Sequence, residues 1–527
     1  MKNSGLSWDT SVPSDWNHTY VGDVRLPILL TPGRQLFVDD YLIASTGLKR
    51  VWHHPVDNPE NPIFIPETKE EMDDGLCPMA APFNDGIWFD DRDGLYKMWY
   101  MAGWFHTTAL ATSTDGIHWQ RPSLDVVPGT NLVWPHEPGY ERDGCLVWLD
   151  KASRSKAERY KMFQFFRYRS AEGLEREQCG LHVSSDGIHW SKPVLCVTLG
   201  DNSSFFFNPF RKRWVLSDRR NEPLQDPAYP IGRRTRYWHE SRRFRNLGVF
   251  VSNEEIPWLR CDLLDKPDPD MPKQLVALYD VNAVPYESLM VGLFGIFRGP
   301  ENHVAQQLGV PKRVDLEVGF SRDGFHWART ERNAFIPCSR IPGSWNRGYV
   351  HATGGCFVVL KDTIRCYYTA FSGISPTLKG AETAPWAGHS RNAMYAGASL
   401  GFATLRRDGF ASMEGNGTLT TKLLHLPKGE LWINGTGRIT AEILDVQGRP
   451  LKGFDHMSCI PFAGDSTCTK LRWKDSSPAC QEGRVGAIRF FVKGGALYAF
   501  WFSADQEGKS GGYVAAGSSD YPGEKDI

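Results

Sequence analysis

A seven-residue motif returns along the chain almost unchanged. Its full copies are Ser113–Trp119, Ser184–Trp190 and Ser321–Trp327, and each has the form Ser-x-Asp-Gly-(Ile or Phe)-His-Trp. Weaker copies lie at Ser252–Trp258 and Thr404–Phe410. Because Asp-Gly readily adopts the positive φ values of a tight turn, each copy predicts a turn between the outer strands of one antiparallel unit. Five spaced copies predict five such units.

The composition favours short strands and turns over long helices. The 527 residues include 51 Gly and 34 Pro, and 13% of the residues are aromatic. No single unit can bury both faces of its sheet, so the five units are expected to stack around an axis. The sequence therefore predicts an all-β chain: a five-bladed β-propeller followed by a β-sandwich domain.

The predicted domain limits follow the repeat. Residues 1–34 form an N-terminal extension, 35–412 the propeller, and 413–527 the β-sandwich, where short alternating strands continue without the repeat. The apolar segment Gln35–Ile43 has strand composition, and we expect it to close the ring by joining the last blade.

Charge and apolar patterning argue against several function classes. The net charge of −1 does not fit a nucleic-acid binder, whose phosphate contacts need a basic excess. No run of about 18 apolar residues and no signal peptide is visible, so we expect no membrane partner and the localisation stays open. Eleven Cys without a C-x-x-C pair indicate neither a zinc ribbon nor a complete disulfide framework.

Acidic residues stand where the innermost strand of each predicted blade begins. A propeller brings these positions together at one end of its channel. Any one Asp there is explained by turn capping, but repetition at equivalent positions favours a functional cluster, since crowded carboxylates cost stability. The five blade heads are Asp85, Asp143, Asp201, Asp280 and His351.

Around these heads the sequence resembles the five-bladed propeller glycoside hydrolases of families 43, 32, 62 and 130. The resemblance is carried by Asp85 before Gly-Ile-Trp-Phe, by Asp201 in Gly-Asp-Asn-Ser-Ser-Phe-Phe, and by His351 in Val-His-Ala-Thr. It implies that Asp85 is the general base and that Asp201 tunes the acid. The fourth blade departs from the family pattern, with Asp280 in place of the expected Glu and Glu287 as a competing acid.

The chemistry of glycoside hydrolysis is consistent with this cluster. The reaction needs one protonated carboxyl on the leaving oxygen and one ionised carboxylate, and neighbouring negative charges separate two pKa values in this way. We expect Asp85 to act as base or nucleophile, Asp280 or Glu287 as acid, and Asp201 to orient and tune the acid. Whether the reaction retains or inverts configuration depends on a carboxyl separation that the sequence does not give.

Several further residues are candidates for substrate binding. Aromatic faces stack on sugar C–H surfaces, and polar groups at the heads can bind hydroxyls. The candidates are Asp143, Arg142, Trp104, Trp345, Arg347 and His351. We expect no required cofactor, and at most a structural Ca²⁺ or other cation in the propeller channel, where His351 would help to hold it. Ten Arg between residues 211 and 245 form either a solvated face or a site for anionic sugars.

Three functions remain as alternatives. The first is an exo-acting glycoside hydrolase on a furanoside or related oligo- or polysaccharide. The second is a glycoside phosphorylase, in which phosphate replaces water and the Arg residues bind it. The third is a carbohydrate-binding propeller without catalysis. The identity of the sugar and the oligomeric state stay open.

Overall fold

The computed structural model describes residues 24–75, 77–137, 139–170, 173–224, 232–251, 255–301, 304–305, 311–373 and 396–527. These residues form mainly β-strands joined by turns, as the composition predicts. Five four-stranded sheets form a five-bladed propeller, and a nine-stranded sheet forms the β-sandwich. The short helical segments are α1 (Lys69–Met72) and the 3₁₀ turns Asp73–Gly75, Lys156–Glu158, Phe244–Asn246 and Pro478–Gln481. Among the described residues no helix is long and apolar enough to cross a membrane.

Five short strands precede the first blade. They are β1 (Ile28–Leu29), β2 (Gln35–Leu36), β3 (Ile43–Thr46), β4 (Lys49–Trp52) and β5 (Val56–Asp57). The first four pair with strands of the sandwich, whereas β5 pairs with the last blade.

The first three blades each contain four consecutive antiparallel strands. Blade one has β6 (Ala80–Asp90), β7 (Leu95–Ala102), β8 (Thr107–Ser113) and β9 (Leu132–Trp134). Blade two has β10 (Tyr140–Leu149), β11 (Tyr160–Arg169), β12 (Glu175–Ser184) and β13 (Val194–Leu195). Blade three has β14 (Ser204–Asn208), β15 (Arg213–Glu222), β16 (Arg233–Ser241) and β17 (Ile256–Leu259).

The last two blades each take one strand from a distant part of the chain. Blade four has β18 (Ala277–Glu287), β19 (Leu289–Gly299), β20 (Arg313–Ser321) and the C-terminal β31 (Tyr513–Val514), which pairs with β18. Blade five has β21 (Gly348–Val359), β22 (Thr363–Phe371), β23 (Ala398–Arg406) and the N-terminal β5.

The ring closes through β5 and not through the segment that the sequence suggested. Val56 pairs with Thr404 of blade five, whereas Gln35 pairs with Phe500 of the sandwich. The reason is apolar burial: Phe37 is fully buried in the sandwich core, with its ring 5.9 Å from that of Phe500. The expectation that Gln35–Ile43 closes the propeller was therefore wrong.

The sandwich is built from both ends of the chain. Its later strands are β24 (Ala411–Thr421), β25 (Leu424–His425), β26 (Glu430–Leu444), β28 (Phe462–Lys470) and β30 (Val485–Ser503), with the small pair β27 (Cys459–Ile460) and β29 (Arg472–Trp473) beside them. Strand pairing crosses both predicted domain limits. Strands β1 to β4, over residues 28–52, join the sandwich, and β31 joins the propeller.

The repeated motif forms a turn after the third strand of its blade, and the turn attaches to a neighbouring blade. In the first copy Asp115 Oδ1 accepts hydrogen bonds from the backbone N–H of Ile117 and of His118, and Gly116 has φ +73°. The carbonyl of Gly116 accepts a hydrogen bond from the Tyr367 hydroxyl of blade five, at 2.6 Å. The second copy repeats this arrangement, with the Trp99 indole of blade one donating to the carbonyl of Gly187. The repeat thus holds adjacent blades together.

A buried group of four charges joins the propeller to the sandwich. Arg34, Glu287, Arg407 and Asp408 have side chains that are at most 3% exposed, and their formal charges sum to zero. Arg34 lies 2.8 Å from Asp408, and Arg407 pairs with Glu287. Although burial favours a neutral carboxyl, the two guanidinium groups hold the pKa of Asp408 below its usual value.

Replacing Glu287 by Gln is expected to destabilise the protein by about 3–5 kcal/mol, because it leaves a buried cation without its counter-charge. Chemical denaturation would measure the loss. Arg449→Met is the control, since Arg449 pairs with Asp445 at the exposed surface and its loss should leave the stability nearly unchanged. Equal stabilities of the two variants would contradict a structural role for the buried group.

Candidate functional site

Four of the five predicted blade heads lie on the first strand of their blades. Asp85, Asp143, Asp280 and His351 lie on β6, β10, β18 and β21, and Asp201 precedes β14 by three residues. Strand β6 packs against both β10 and β21, and β18 packs against β14 and β21. The heads that were predicted to converge are therefore carried by strands that touch one another.

Asp85 is fully buried at an irregular part of its strand. The β6–β7 register shifts between Ala81 and Gly86, which turns the Asp85 carboxylate back toward the backbone N–H of Phe83, at 3.1 Å. The second oxygen pairs with Arg142 from blade two. Burial raises the pKa of Asp85, and the Arg142 guanidinium opposes that shift. The residues predicted as base and substrate ligand thus form one ion pair.

Three asparagines connect the heads of blades one, three and four. Asn282 donates to the Asn84 side-chain oxygen at 2.7 Å, and Asn84 reaches Asn202 at 3.4 Å. Asn282 also donates to Asp280 at 3.2 Å. These residues were not predicted from the sequence, although a signal was present: Asn84, Asn202 and Asn282 each stand within two positions of a head Asp.

Asp280 lies deep in this network beside His351. The Asp280 carboxylate is 3.9 Å from His351 Nδ1, which in turn lies 2.9 Å from the Ala352 carbonyl oxygen. Burial raises the pKa of Asp280, while His351 and Arg236 oppose that shift. Among the described residues, neither Asp280 Oδ1 nor His351 Nε2 has a hydrogen-bond partner.

Asp143 and Asp201 share one guanidinium and differ in pKa. Arg167 pairs with Asp143 and lies 3.3 Å from Asp201. Burial raises the pKa of Asp143 to about 6, and the nearby Asp201 charge adds to the shift. For Asp201 burial acts in the same direction, but Arg219 and Arg167 outweigh it and hold its pKa below the usual value. One carboxyl of the pair thus takes up a proton at about pH 6, whereas the other stays ionised at that pH.

Glu287 lies apart from this cluster, which corrects the expectation that it competes as the acid. It follows Asp280 by seven residues on the same strand, a separation of about 23 Å for an extended chain. Its carboxylate accepts from Ser510 at 2.7 Å and from the Arg34 backbone N–H at 3.0 Å. Glu287 therefore belongs to the junction with the sandwich.

The remaining substrate-binding candidates, Trp104, Trp345 and Arg347, are placed differently from one another. Trp104 is 5% exposed and stacks on Phe105 at 4.4 Å, so its face is covered and the expectation that it stacks on a sugar was wrong. Trp345 stacks on Tyr368 at 5.3 Å, on the flank of blade five. Arg347 is half-buried on the segment that leads into β21.

The Arg-rich segment divides between a solvated face and the cluster. Arg211 pairs with Glu240 at the surface, as an ordinary charged face would. Arg219, Arg234 and Arg236 lie near Asp201, and Arg236 is fully buried with its guanidinium donating to the Asn202 carbonyl at 2.6 Å. Part of this segment therefore supplies positive charge to the predicted site.

The predicted channel cation remains a prediction. Within the described parts of the chain, no group of three His, Cys, Asp or Glu side chains has the arrangement of a metal site.

Comparison with known proteins gives distant similarities. No protein-family model matches the chain. The sucrose-6-phosphate hydrolase of Escherichia coli is 28% identical over 171 residues, which is 27% of this chain and 29% of that relative. The chain thus matches less than a third of the length of this curated relative.

Solved structures with similar folds include enzymes that act on sugars. An N-acetylgalactosamine deacetylase from F. plautii is 12% identical, with a TM-score of 0.45 over 69% of this chain and 96% of that chain. A thermostable family-43 glycoside hydrolase is 10% identical, with a TM-score of 0.38 over 64% and 96%. An exo-inulinase from Aspergillus awamori is 11% identical, with a TM-score of 0.37 over 84% and 98%. Glycoside hydrolases are therefore among the proteins that this chain is similar to.

Proposed function

We propose that the chain is a glycoside hydrolase whose chemistry is carried by the carboxylates at the propeller axis. The observation that carries the proposal is the pairing of Asp143 and Asp201 on Arg167, with pKa values displaced in opposite directions. Such a pair supplies the protonated and ionised carboxyl groups that glycoside cleavage needs.

In the proposed mechanism Asp85 acts as base or nucleophile. Its ion pair with Arg142 stabilises the ionised form at a buried position, where a lone carboxylate would take up a proton. Asp143 donates a proton to the leaving oxygen, because its pKa of about 6 leaves roughly a tenth of it protonated at pH 7, far more than an Asp with an ordinary pKa retains. Asp201 keeps its charge and thereby raises the proton affinity of Asp143. This assigns Asp201 the tuning role expected from the sequence.

The acid expected from the sequence was Asp280, and it remains the competing candidate. Burial raises its pKa as well, and one of its oxygens has no partner among the described residues. We favour Asp143 because Asp280 is fully buried, whereas the Asp143 side chain is 5% exposed and adjoins Asp201, whose side chain is 22% exposed. A proton donor has to reach the leaving oxygen.

We propose a furanoside or related oligosaccharide as substrate, cleaved from a chain end. The proposal rests on the partial similarity to a sucrose-6-phosphate hydrolase and on the closed surroundings of Asp85 and Asp280. A phosphorylase is the second candidate, because Arg167, Arg219 and Arg234 gather around Asp201 and could bind an anionic nucleophile.

Asp85→Asn is expected to lower kcat/KM about a thousandfold, since an amide can serve neither as base nor as nucleophile. Sugar release from a panel of glycans and aryl furanosides measures the effect, with and without phosphate to separate hydrolase from phosphorylase. Asp93→Asn is the matched control, because Asp93 lies in an exposed turn of the same blade. Equal activity of Asp85→Asn and wild type would remove Asp85 from the mechanism, and sugar binding without turnover would favour a binding module.

Asp143→Asn is expected to lose activity selectively on glycosides with poor leaving groups. A missing acid matters little when the leaving group departs as a stable anion, so a nitrophenyl glycoside should be cleaved within about tenfold of wild type. On an unactivated glycoside the loss should exceed about a hundredfold. Asp280→Asn should lower both rates by a similar factor. If instead Asp280→Asn lost activity only on the unactivated glycoside and Asp143→Asn lowered both rates, the acid would be Asp280.

The pH profile provides an independent check on Asp143. As an acid with a pKa of about 6, it loses its proton as the pH rises, so kcat/KM should fall above that pH. Arg167→Met removes a cation that lowers this pKa, so the falling limb should move to higher pH. Arg176→Met, at an exposed position of the same blade, is the control. If the falling limb of the kcat/KM profile stayed at the wild-type pH in Arg167→Met, the assignment of Asp143 as the acid would be contradicted.

A further inference from the structure

Positively charged side chains from blades three and four gather on one side of the candidate site. Arg219 on β15 lies 3.3 Å from Asp201, and Arg234 on β16 lies 3.3 Å from Glu301. Lys312 directly precedes β20 and lies close enough to both arginines for their charges to shift its pKa. Three cations therefore stand beside these two carboxylates.

The pKa of Lys312 reports the sign of the potential on this side of the site. It is lowered to about 7, first by burial and then by the positive charge of Arg234, and Arg219 adds to the shift. Glu301 and Asp201 act in the opposite direction but do not cancel it. Like charges held together in a protein repel one another, so this arrangement favours an anion that joins them.

Arg347 extends the positive region to blade five. Its Nη1 and the Pro311 Cβ both lie 3.8 Å from the point where a Cβ atom on Gly373 would stand, so the guanidinium is beside the segment that carries Lys312. Lys312 also lies 5.3 Å from the ring centre of Tyr349, two residues after Arg347. Over the part of the chain that the structure describes, the Arg347 side chain has no ion-pair or hydrogen-bond partner.

The positive region is accessible from solvent. Arg347 is half-buried, and the side chains of Arg219 and Asp201 are 17% and 22% exposed. Arg234 and Lys312 are 6% and 3% exposed, so they act mainly through their charge. A ligand that enters the site can therefore contact Arg347 directly, with the other cations behind it.

The chemistry of these groups selects an anionic ligand. A guanidinium presents a fork of N–H donors that matches two oxygens of a carboxylate, a phosphate or a sulfate group. Arg219 and Arg234 already hold Asp201 and Glu301, whereas Arg347 has no such partner among the described residues. Arg347 is thus the arginine of this region whose fork can bind an oxyanion without giving up a carboxylate of the protein.

We propose that Arg347, with Arg234 and Lys312 behind it, binds an acidic group carried by the substrate, so that the substrate is a sugar bearing a carboxylate, a phosphate ester or a sulfate ester. The identification of the ligand as a sugar rests on the proposed function. The anion site itself rests on the arrangement of the cations. Arg347 is then a residue that determines specificity and takes no part in bond cleavage.

Calorimetric titration of the full-length wild-type protein in phosphate-free buffer tests this site. The probes are hexuronic acids, hexose 6-phosphates and hexose 6-sulfates, each compared with its neutral parent hexose. None of them has a glycosidic bond, so binding is measured apart from turnover. One charged class should bind at least about tenfold more tightly than its neutral parent, and the class that does so identifies the acidic group.

Arg347→Met should weaken binding of that charged sugar at least about tenfold and leave the affinity for the neutral parent unchanged. Arg347→Lys keeps the charge but loses the fork, so it should weaken binding less than Arg347→Met, and it serves if Arg347→Met does not fold. Arg211→Met is the control, because Arg211 pairs with Glu240 on the solvated face of blade three.

Two results would overturn the proposal. One is that no charged sugar binds more tightly than its neutral parent; if inorganic phosphate alone then bound and depended on Arg347, the cations would serve a phosphate nucleophile instead. The other is that both Arg347 variants bind the charged sugar as wild type does. Failure of the glycosidase assay leaves these binding results unaffected. Conversely, cleavage of neutral glycans at an unchanged rate in Arg347→Met would contradict this proposal and not the proposed function.

Discussion

The buried ion-pair group of Arg34, Glu287, Arg407 and Asp408 is the constraint on which the arrangement of the two domains depends. It draws one residue from the N-terminal segment, one from the end of β18 and two from the turn after blade five. Asn434 of the sandwich donates to Asp408 at 3.0 Å, so the second domain is part of the same network. Buried charges are tolerated only when they are paired with good geometry. The segments that bear them must therefore come together as one unit.

The ion-pair group lies at the opposite end of β18 from Asp280. The same strand therefore connects the junction with the sandwich to the candidate site. The strand is anchored at Glu287 by ionic contacts and near Asp280 by the Asn282 side chain, which donates to Asn84 of blade one. A strand fixed at both ends holds its head group in place, which a preorganised site requires. The repeated turns add to this by linking the outer parts of adjacent blades. The placement of Asp280 thus depends on contacts at the far end of β18 and on the repeated turns that link adjacent blades.

The sequence predicted the parts of the fold that local chemistry determines. The Asp-Gly turns have a local cause in positive φ and side-chain capping, and the blade heads follow from their spacing. The closing strand and Glu287 were misplaced because both depend on long-range pairing. Residues 35–43 suit either sheet by composition, and only the burial of Phe37 beside Phe500 decides between them. Likewise, no local signal shows that Glu287 faces Arg34 and Arg407, 253 and 120 residues away.

The difference in pKa between Asp143 and Asp201 could not be predicted from the sequence. Asp143 and Asp201 look alike in the sequence, each an Asp at the head of a blade. Asp143 is the more buried of the two, whereas Asp201 adjoins Arg219 in addition to the shared Arg167. Desolvation therefore dominates one carboxyl and positive charge the other. The division of roles between two identical side chains arises from the unequal distribution of arginines around them, and these arginines reach the pair from blades two and three.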